Sequence, residues 1–371
     1  MRGSFSVWCT SDDVEVSGHA PLVELHFNIW CGLPGNTPDV LDIGILFKEP
    51  RPIKELFLYV PRTVKRDQLK DLSQLLKDPA TLSAVFNDTL EVGNERPGSF
   101  DVLKNGAVAF RIFSFDLDSP AQASIEVLPE EDDQHGTIIK FGVEIISQMS
   151  GVGDHYIRLR LALSGSLSDM LVSRIEPSDR LFLSSFYRMQ MIEFRLNEKR
   201  NFSKELRERQ KSGRPPAISA VHYFLVRDLG VEMVQSHATF RKMRRLEPRL
   251  WDNYLSGLGR PKPEDMIIYH WREVAEPGAT VEDFVALTSF RQAGNNLWLY
   301  IAAIIFLGAI GSSTQSLLSS AASGITNWLG YPLKHNSAVQ FCIIAFLAGS
   351  LLLLYWRVRS QNISRRGGSK G

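Results

Sequence analysis

The sequence has few cysteines, almost no net charge and none of the common catalytic motifs. Three cysteines in 371 residues exclude a disulfide framework and are best interpreted as buried thiols in a reducing compartment. The 42 Lys and Arg residues balance 41 Asp and Glu residues, so total charge indicates no strongly charged partner. P-loop, GxGxxG, GxSxG, HExxH and paired CxxC patterns are missing from the sequence. We therefore predict no cofactor and no catalytic residue.

The composition is that of a folded chain, but its charge is divided between two halves. Hydrophobic residues make up 44% and charged residues 22% of the chain, which excludes a disordered class. The net charge is −10 over residues 1–150 and +11 over residues 151–371. The basic runs of the second half are either solvated surface or a site for lipid headgroups, an anionic small molecule such as a nucleotide, or nucleic acid, of which nucleic acid is the least expected. Arg241, Arg244 and Arg245 are the predicted ligand-binding residues.

Two uncharged runs near the C-terminus predict a transmembrane hairpin. The first run is 297–318 and the second is 338–356. A helix of 22 residues spans about 33 Å, which is enough for a hydrocarbon core of about 30 Å. The pair predicts two spans, followed by a basic cytoplasmic tail over 357–371.

Basic residues at the flanks predict the orientation of this hairpin. Arg291 precedes the first run, and Arg357 and Arg359 follow the second. Since positive residues are retained on the cytoplasmic side, both termini are expected in the cytoplasm. No apolar segment follows Met1, so we expect no secretory signal peptide. The predicted location is the plasma (inner) membrane of a prokaryote.

Small residues at a spacing of four occur within both runs. Gly308 and Ser312 form one pair, and Ala345 and Gly349 form the other. Such pairs let helix backbones approach closely in lipid. They are the predicted helix-packing residues, either inside one hairpin or between copies in a homo-oligomer.

Residues 1–165 are predicted to form a mainly antiparallel β domain, either a sandwich or an open barrel. Apolar residues alternate with other residues over 23–29, 41–47 and 157–163, as in half-buried strands. Asn105-Gly106 indicates a two-residue hairpin. Asp78-Pro79 is typical of the start of a short helix.

Residues 181–290 are predicted to be a second, basic α+β region. Strands are expected over 186–196, 218–226 and 266–271, and Ser203 is expected to cap a helix over 204–211. A further helix is predicted from about 236 to 255, with Phe240, Met243, Leu250 and Tyr254 on one face. Its basic residues would then lie largely on the other face.

No metal site is predicted, although one candidate set exists. Cys9, His19, His26 and Cys31 are the types of residue that bind zinc. In the strand that begins near Val23, however, His26 and Cys31 are separated by an odd number of positions. Their side chains should therefore point to opposite faces of the sheet. Asp154-His155 is more typical of a turn than of an acid–base pair.

His222 and His270 are two further candidates. Each could meet an acidic neighbour in space, His222 with Asp228 and His270 with Glu273. Each is more often a hydrogen-bonded strand residue.

The predicted fold class is an α+β membrane protein with a β-rich domain, a basic α+β region and a two-helix hairpin. Its plan is similar to that of prokaryotic sensor-effector proteins in which one domain detects a signal and a membrane part disrupts the bilayer. The predicted function is therefore a two-pass sensing or effector protein that oligomerises in response to a ligand or protein partner. The alternatives are a tethered hydrolase-like enzyme and a constitutive membrane adaptor.

Overall fold

The computed structural model describes residues 3–11, 20–34, 36–48, 53–129, 136–149, 153–175, 187–259, 261–293 and 297–328. The chain divides into two compact units, Met1–Gly294 and Asn295–Gly371. The structure consists mostly of β-sheet, with 47% strand and 23% helix.

Within the described residues, eighteen strands form three sheets. In chain order the strands are β1 Ser6–Thr10, β2 Leu22–Trp30, β3 Asp39–Lys48, β4 Glu55–Val60, β5 Leu69–Asp71, β6 Glu91–Arg96, β7 Ser99–Lys104, β8 Ala107–Phe113, β9 Ala123–Val127, β10 Thr137–Phe141, β11 Asp154–Leu163, β12 Val172–Ile175, β13 Tyr187–Leu196, β14 Ala217–Asp228, β15 Val231–Ser236, β16 Lys242–Arg245, β17 Met266–Val274 and β18 Phe284–Ala293.

Helices are short in the first unit and long in the second. They are α1 Pro79–Phe86, α2 Val143–Gln148, α3 Ser166–Leu171, α4 Lys204–Lys211, α5 Asp252–Leu255 and α6 Leu297–Trp328.

The large sheet has the order β16-β17-β14-β2-β3-β11-β8-β7-β6, and β5 pairs with β11. Strands β14 and β2 run parallel, as do β11 and β8. Two smaller sheets have the orders β1-β4-β10-β9 and β12-β13-β18-β15. The large sheet therefore takes strands from both of the ranges predicted as separate regions, 1–165 and 181–290.

Alternation along its strands divides the large sheet into two faces. In β2, Val23, Leu25 and Phe27 are fully buried in a core that also contains Leu58 of β4 and Phe194 of β13. We call this side the apolar face. Both smaller sheets pack against it, which accounts for the sandwich character of the first unit.

The opposite side of the large sheet, which we call the polar face, carries Glu24, His26 and Asn28 from the same strand. Because successive side chains of a strand point to opposite faces, these residues cannot join the apolar core. A second core covers part of the polar face and includes Leu82 of α1 and Trp251.

Local signals in the sequence explain several elements. Asn105 and Gly106 have φ angles of 52° and 78° in the turn between β7 and β8, which confirms the predicted hairpin. Asp78 caps α1 by accepting a hydrogen bond from the Thr81 amide at 3.1 Å. Ser203 caps α4 in the same way through the Leu206 amide. These caps satisfy amides that have no partner inside their helices.

The helix predicted over residues 236–255 is wrong. The region forms strand β16 and then, after a turn, the single helical turn α5. Arg249 has a φ of 73°, which interrupts any helix at this point. The amides of Arg241 and Leu246 donate to carbonyls of β17 at 2.7 and 3.1 Å, so sheet pairing replaces the local helical preference.

The predicted membrane fold class and the plasma-membrane location with two spans are also wrong. Helix α6 begins where the first span was predicted, but no helix among the described residues combines the length and the apolar character needed to cross a bilayer. The two-pass topology and the assignment of cytoplasmic termini depended on that span.

Other predictions for the hairpin lie partly outside the described residues. Gly308 and Ser312 are exposed in α6. The second run, 338–356, with Ala345 and Gly349, and the basic tail over 357–371 lie outside the described residues.

Candidate functional site

A cavity of about 200 Å³ lies on the polar face of the large sheet. The end of α1 and Trp251 cover it, strands β2, β14 and β17 form its floor, and β16 forms one side. Its lining residues are Asn28, Ala84, Val85, Phe86, Asn87, His222, Phe224, Arg241, Lys242, Arg244, Trp251, Ile268 and His270.

Strand register brings the polar residues of this cavity together. His222 of β14 lies opposite His26 of β2. His270 of β17 lies opposite Phe224 on one side and Lys242 on the other. Residues that are directly opposite in paired strands share one face of the sheet. Four strands, β2, β14, β17 and β16, thus form a continuous surface at this point of the polar face.

Three of the rings in the cavity are nearly parallel. The Phe224 and His270 rings have centroids 4.1 Å apart and planes 12° apart. The His222 ring lies 5.4 Å from the His270 ring at an angle of 14°. The three rings therefore stack on one another and form an aromatic wall along one side of the cavity.

The histidine cluster, which we define as Glu24, His26, His222 and His270, shares His222 and His270 with this wall. The His222 Nδ1 and His270 Nε2 atoms are 3.3 Å apart. His222 Nε2 faces Glu24 Oε2 at 4.0 Å. Tyr156 Oη lies 3.4 Å from His26 Nδ1.

The surroundings of these histidines favour their neutral forms. Burial, followed by the neighbouring His270 and Arg272, lowers the pKa of His222 to about 3. Burial and then Arg241 lower the pKa of His270 to about 4. Burial and the charge of His222 also place the pKa of His26 well below its ordinary value. At neutral pH all three imidazoles are therefore uncharged and each retains an acceptor nitrogen.

Beside the cluster, on the same polar face, lies a buried charged network around Asp42. Arg160 donates from Nε and Nη2 to the two Asp42 oxygens, at 2.6 and 3.0 Å. Trp30 Nε1 and Tyr254 Oη donate to Asp42 Oδ2 at 2.9 and 2.6 Å. Although burial opposes ionisation, the Arg160 guanidinium holds the pKa of Asp42 below its ordinary value. The carboxylate is therefore ionised and its acceptor sites are occupied.

Arg158 and Tyr156 connect this network to the histidine cluster. Arg158 donates from Nε to Tyr254 Oη at 2.9 Å and from Nη1 to Tyr156 Oη at 2.8 Å. The Tyr156 ring crosses Gly44, where an added Cβ would lie 2.0 Å from the Tyr156 hydroxyl. Gly44 is therefore required for Tyr156 to reach both Arg158 and His26.

Two of the three predicted ligand-binding arginines line the cavity. Arg241 and Arg244 are among its lining residues. Arg245, the next residue of β16, instead donates from Nε to the Glu264 carbonyl at 3.2 Å, because adjacent residues of a strand point in opposite directions. The three residues are thus not brought together.

The metal and acid–base candidates from the sequence are also separated. Cys9 and Cys31 are buried in the core of the apolar face, and burial raises the pKa of their thiols to about 11 and 12. His26 lies on the polar face, and His19 lies outside the described residues.

The neighbours Asp154 and His155 also diverge. Asp154 pairs with Lys48 at 3.3 Å. His155 packs on the Phe113 ring with centroids 5.4 Å apart. The two side chains lie on opposite faces of β11.

Sequence reasoning missed Asn28, Lys242 and the Asp42 network. Asn28 is 2% exposed, and its Oδ1 has no hydrogen-bond partner among the described residues. A usable signal was present, since Glu24, His26 and Asn28 alternate with apolar residues in a strand where only one face is apolar. Asp42 in β3, and Arg158 and Arg160 in β11, likewise alternate with apolar residues along their strands. Which of these residues meet depends on strand order, which the pattern does not contain.

Comparisons with known proteins identify no family for the chain. No protein-family model matches it, and no curated protein matches it. One solved structure, described as the Fcho1 Mu homology domain from Danio rerio with a bound Eps15 peptide, is similar at 9% identity. That similarity covers 79% of this chain and 81% of the other, with a TM-score of 0.18, which is too low to carry any conclusion.

Proposed function

We propose that the first unit is a ligand-sensing domain whose cavity binds a small, flat organic anion. The observation that supports this most directly is the meeting of Arg241, Lys242 and Arg244 with a wall of parallel rings in one cavity. Concave sites that combine aromatic walls with a few convergent polar groups are the usual form of small-molecule sites.

The cationic rim supports an anionic ligand. Among the described residues, the side chains of Arg241 and Lys242 have no hydrogen-bond or ion-pair partner. Arg244 pairs with Glu247, and Glu247 also accepts from Trp251 Nε1 at 3.3 Å. An anion at the rim would therefore meet two cations that are not already neutralised.

The size and floor of the cavity favour a single ring system. Its volume of about 200 Å³ is below the range of about 300–1,000 Å³ typical of drug-sized sites. The unpartnered Asn28 Oδ1 lies in the floor and would accept a hydrogen bond from an N–H or O–H group of the ligand. A nucleotide-like molecule with a flat ring and a phosphate or carboxylate has this chemistry.

This proposal keeps the ligand-sensing part of the function predicted from the sequence. It does not include the lipid bilayer or membrane perturbation, which depended on the two predicted spans. A protein partner and a homo-oligomer stay predictions.

The test is isothermal titration calorimetry of the full chain, with AMP, adenosine, inorganic phosphate and benzoate as separate probes. We expect AMP or benzoate to bind, because each combines a flat ring with an anion. Adenosine and inorganic phosphate should bind more weakly, since each has one half of that chemistry. Arg241→Ala should weaken binding by about tenfold or more, since hydrogen bonds to charged groups contribute about 1.5–3 kcal/mol.

Arg245→Ala is the matched control. It removes an arginine four residues away, but Arg245 bonds to the Glu264 carbonyl rather than lining the cavity. Equal effects of the two substitutions would show general electrostatic attraction and contradict the proposal. Failure of every flat anion to bind would also contradict it.

A further inference from the structure

Three groups of the histidine cluster have the residue types and spacing of metal ligands. One donor atom each from Glu24, His26 and His222 lies within 4.8 Å of the other two. His26 and His222 face each other across parallel strands, and Glu24 precedes His26 by two residues on the same face. Two strands of a rigid sheet therefore hold all three side chains.

These three groups do not satisfy one another by hydrogen bonding. The His222 Nε2 to Glu24 Oε2 distance of 4.0 Å is too long for a hydrogen bond. In tetrahedral Zn²⁺ sites the ligand atoms lie ~2.1 Å from the metal and hence ~3.4 Å from one another. Side-chain rotations that draw the donors together by less than about 1.5 Å would bring them to that separation.

The outer contacts resemble those that orient metal ligands. His222 uses Nδ1 towards His270 Nε2, which leaves Nε2 facing Glu24. His26 uses Nδ1 towards the Tyr156 hydroxyl. Lys48 contacts Glu24 through Oε1 at 3.3 Å, whereas Oε2 faces His222. Metal-binding imidazoles commonly have their second ring nitrogen held by such a partner.

The site is also accessible from solvent. The side chains of Glu24 and His222 are 19% and 18% exposed, so an ion can enter from solvent.

We propose that Glu24, His26 and His222 form a binding site for a divalent transition-metal ion of the Zn²⁺ type. Two imidazoles and one carboxylate form a ligand set that leaves a fourth position open for water or an anion. The site adjoins the cavity through His222, but it goes beyond the proposed function, which requires only the cationic rim and the ring wall.

The test is equilibrium dialysis of the full chain against Zn²⁺ alone, followed by elemental analysis. We expect one Zn²⁺ per chain. Glu24→Gln and His222→Ala should each weaken binding by about tenfold or more, because each removes a direct ligand. Glu24→Gln nearly preserves side-chain size, and circular dichroism of each variant checks that it folds.

His237→Ala is the matched control, since His237 is exposed and its Nδ1 accepts a hydrogen bond from the Leu287 amide rather than joining the cluster. Full Zn²⁺ binding by this variant is expected. Absence of stoichiometric Zn²⁺ in the unsubstituted chain would overturn the metal site, as would equal losses in all three variants. Titration of AMP into protein treated with EDTA separates the two proposals, because anion binding there does not depend on the metal.

Discussion

The two faces of the large sheet are built from the same strands but differ in what they bury. The apolar face packs Val23, Leu25 and Phe27 against the two smaller sheets. The polar face holds the alternate residues of the same strand, which are Glu24, His26 and Asn28. A strand that is covered on both sides can thus carry a stabilising core on one side and a chemically active surface on the other.

Two carboxyl groups, Asp42, which is buried, and Asp71, which is half-buried, show how strongly the surroundings differ. Asp42 on the polar face is bonded by Arg160, Trp30 and Tyr254, and its pKa is lowered. Asp71 lies opposite Leu159, a residue of the apolar face. Burial raises the pKa of Asp71 to about 6 although Ser73 donates to it. The partners, rather than burial alone, decide whether a buried carboxyl group is charged.

The largest expected effect comes from removing the carboxylate of the polar face. Asp42→Ala should lower the free energy of unfolding by about 3–5 kcal/mol, because it leaves two buried guanidinium groups without their anion. Urea unfolding at pH 7 measures this change. Asp71→Ala is the comparison on the other face and should cause no such loss. Similar destabilisation by both substitutions would contradict the contrast between the faces.

The contribution of Asp71 to the pH dependence of stability tests the same contrast between the two faces. Its pKa is raised from an ordinary 3.8 to about 6, so the folded state binds the proton more tightly than the unfolded state. This group therefore lowers stability as pH rises from about 4 to about 6, by about 3 kcal/mol in total. Asp71→Asn should remove that contribution and be the more stable protein at pH 7. Parallel stability curves for the two proteins from about pH 4 to about pH 6 would disprove the assignment.

A smaller effect is expected at the contact between Gly44 and Tyr156. Gly44→Ala places a methyl group where the Tyr156 hydroxyl lies and should cost about 1–3 kcal/mol through overpacking. It should also weaken Zn²⁺ binding, because Tyr156 would no longer hold His26. Gly257→Ala is the control, since Gly257 is exposed with open space around it. Similar unfolding free energies for the two glycine variants would contradict the prediction, because they would show that the close approach of Gly44 and Tyr156 is unimportant.

Much of the local structure was predictable because its causes lie within a few residues. The Asn105-Gly106 hairpin and the caps at Asp78 and Ser203 depend on turn and cap chemistry that any sequence window contains. Strands β2, β3 and β11 followed from period-two alternation. The helix expected over 236–255 was wrong because apolar residues at helical spacing were counted without the hydrogen bonds that β17 offers to this segment.

The candidate site was only partly predictable. Arg241 and Arg244 were selected for their charge, but Arg245 was grouped with them because strand β16 was taken for a helix. His222 and His270 were considered with acidic neighbours in the sequence. In the structure Asp228 instead accepts from the Gly230 amide at 2.7 Å, and the two histidines contact each other.

The sequence by itself determined which residues alternate, where turns and helix starts occur, and that one face of β2 is polar, because these properties depend on neighbours along the chain. Only the tertiary structure decided that His26 meets His222 and that Asp42 meets Arg160 and Tyr254. The order and register of strands far apart in sequence create those contacts, and no period in the sequence encodes strand order. The fold class was misjudged for a related reason. Charge-free runs indicate membrane spans only when the helix that forms is apolar over a sufficient length, and none among the described residues is.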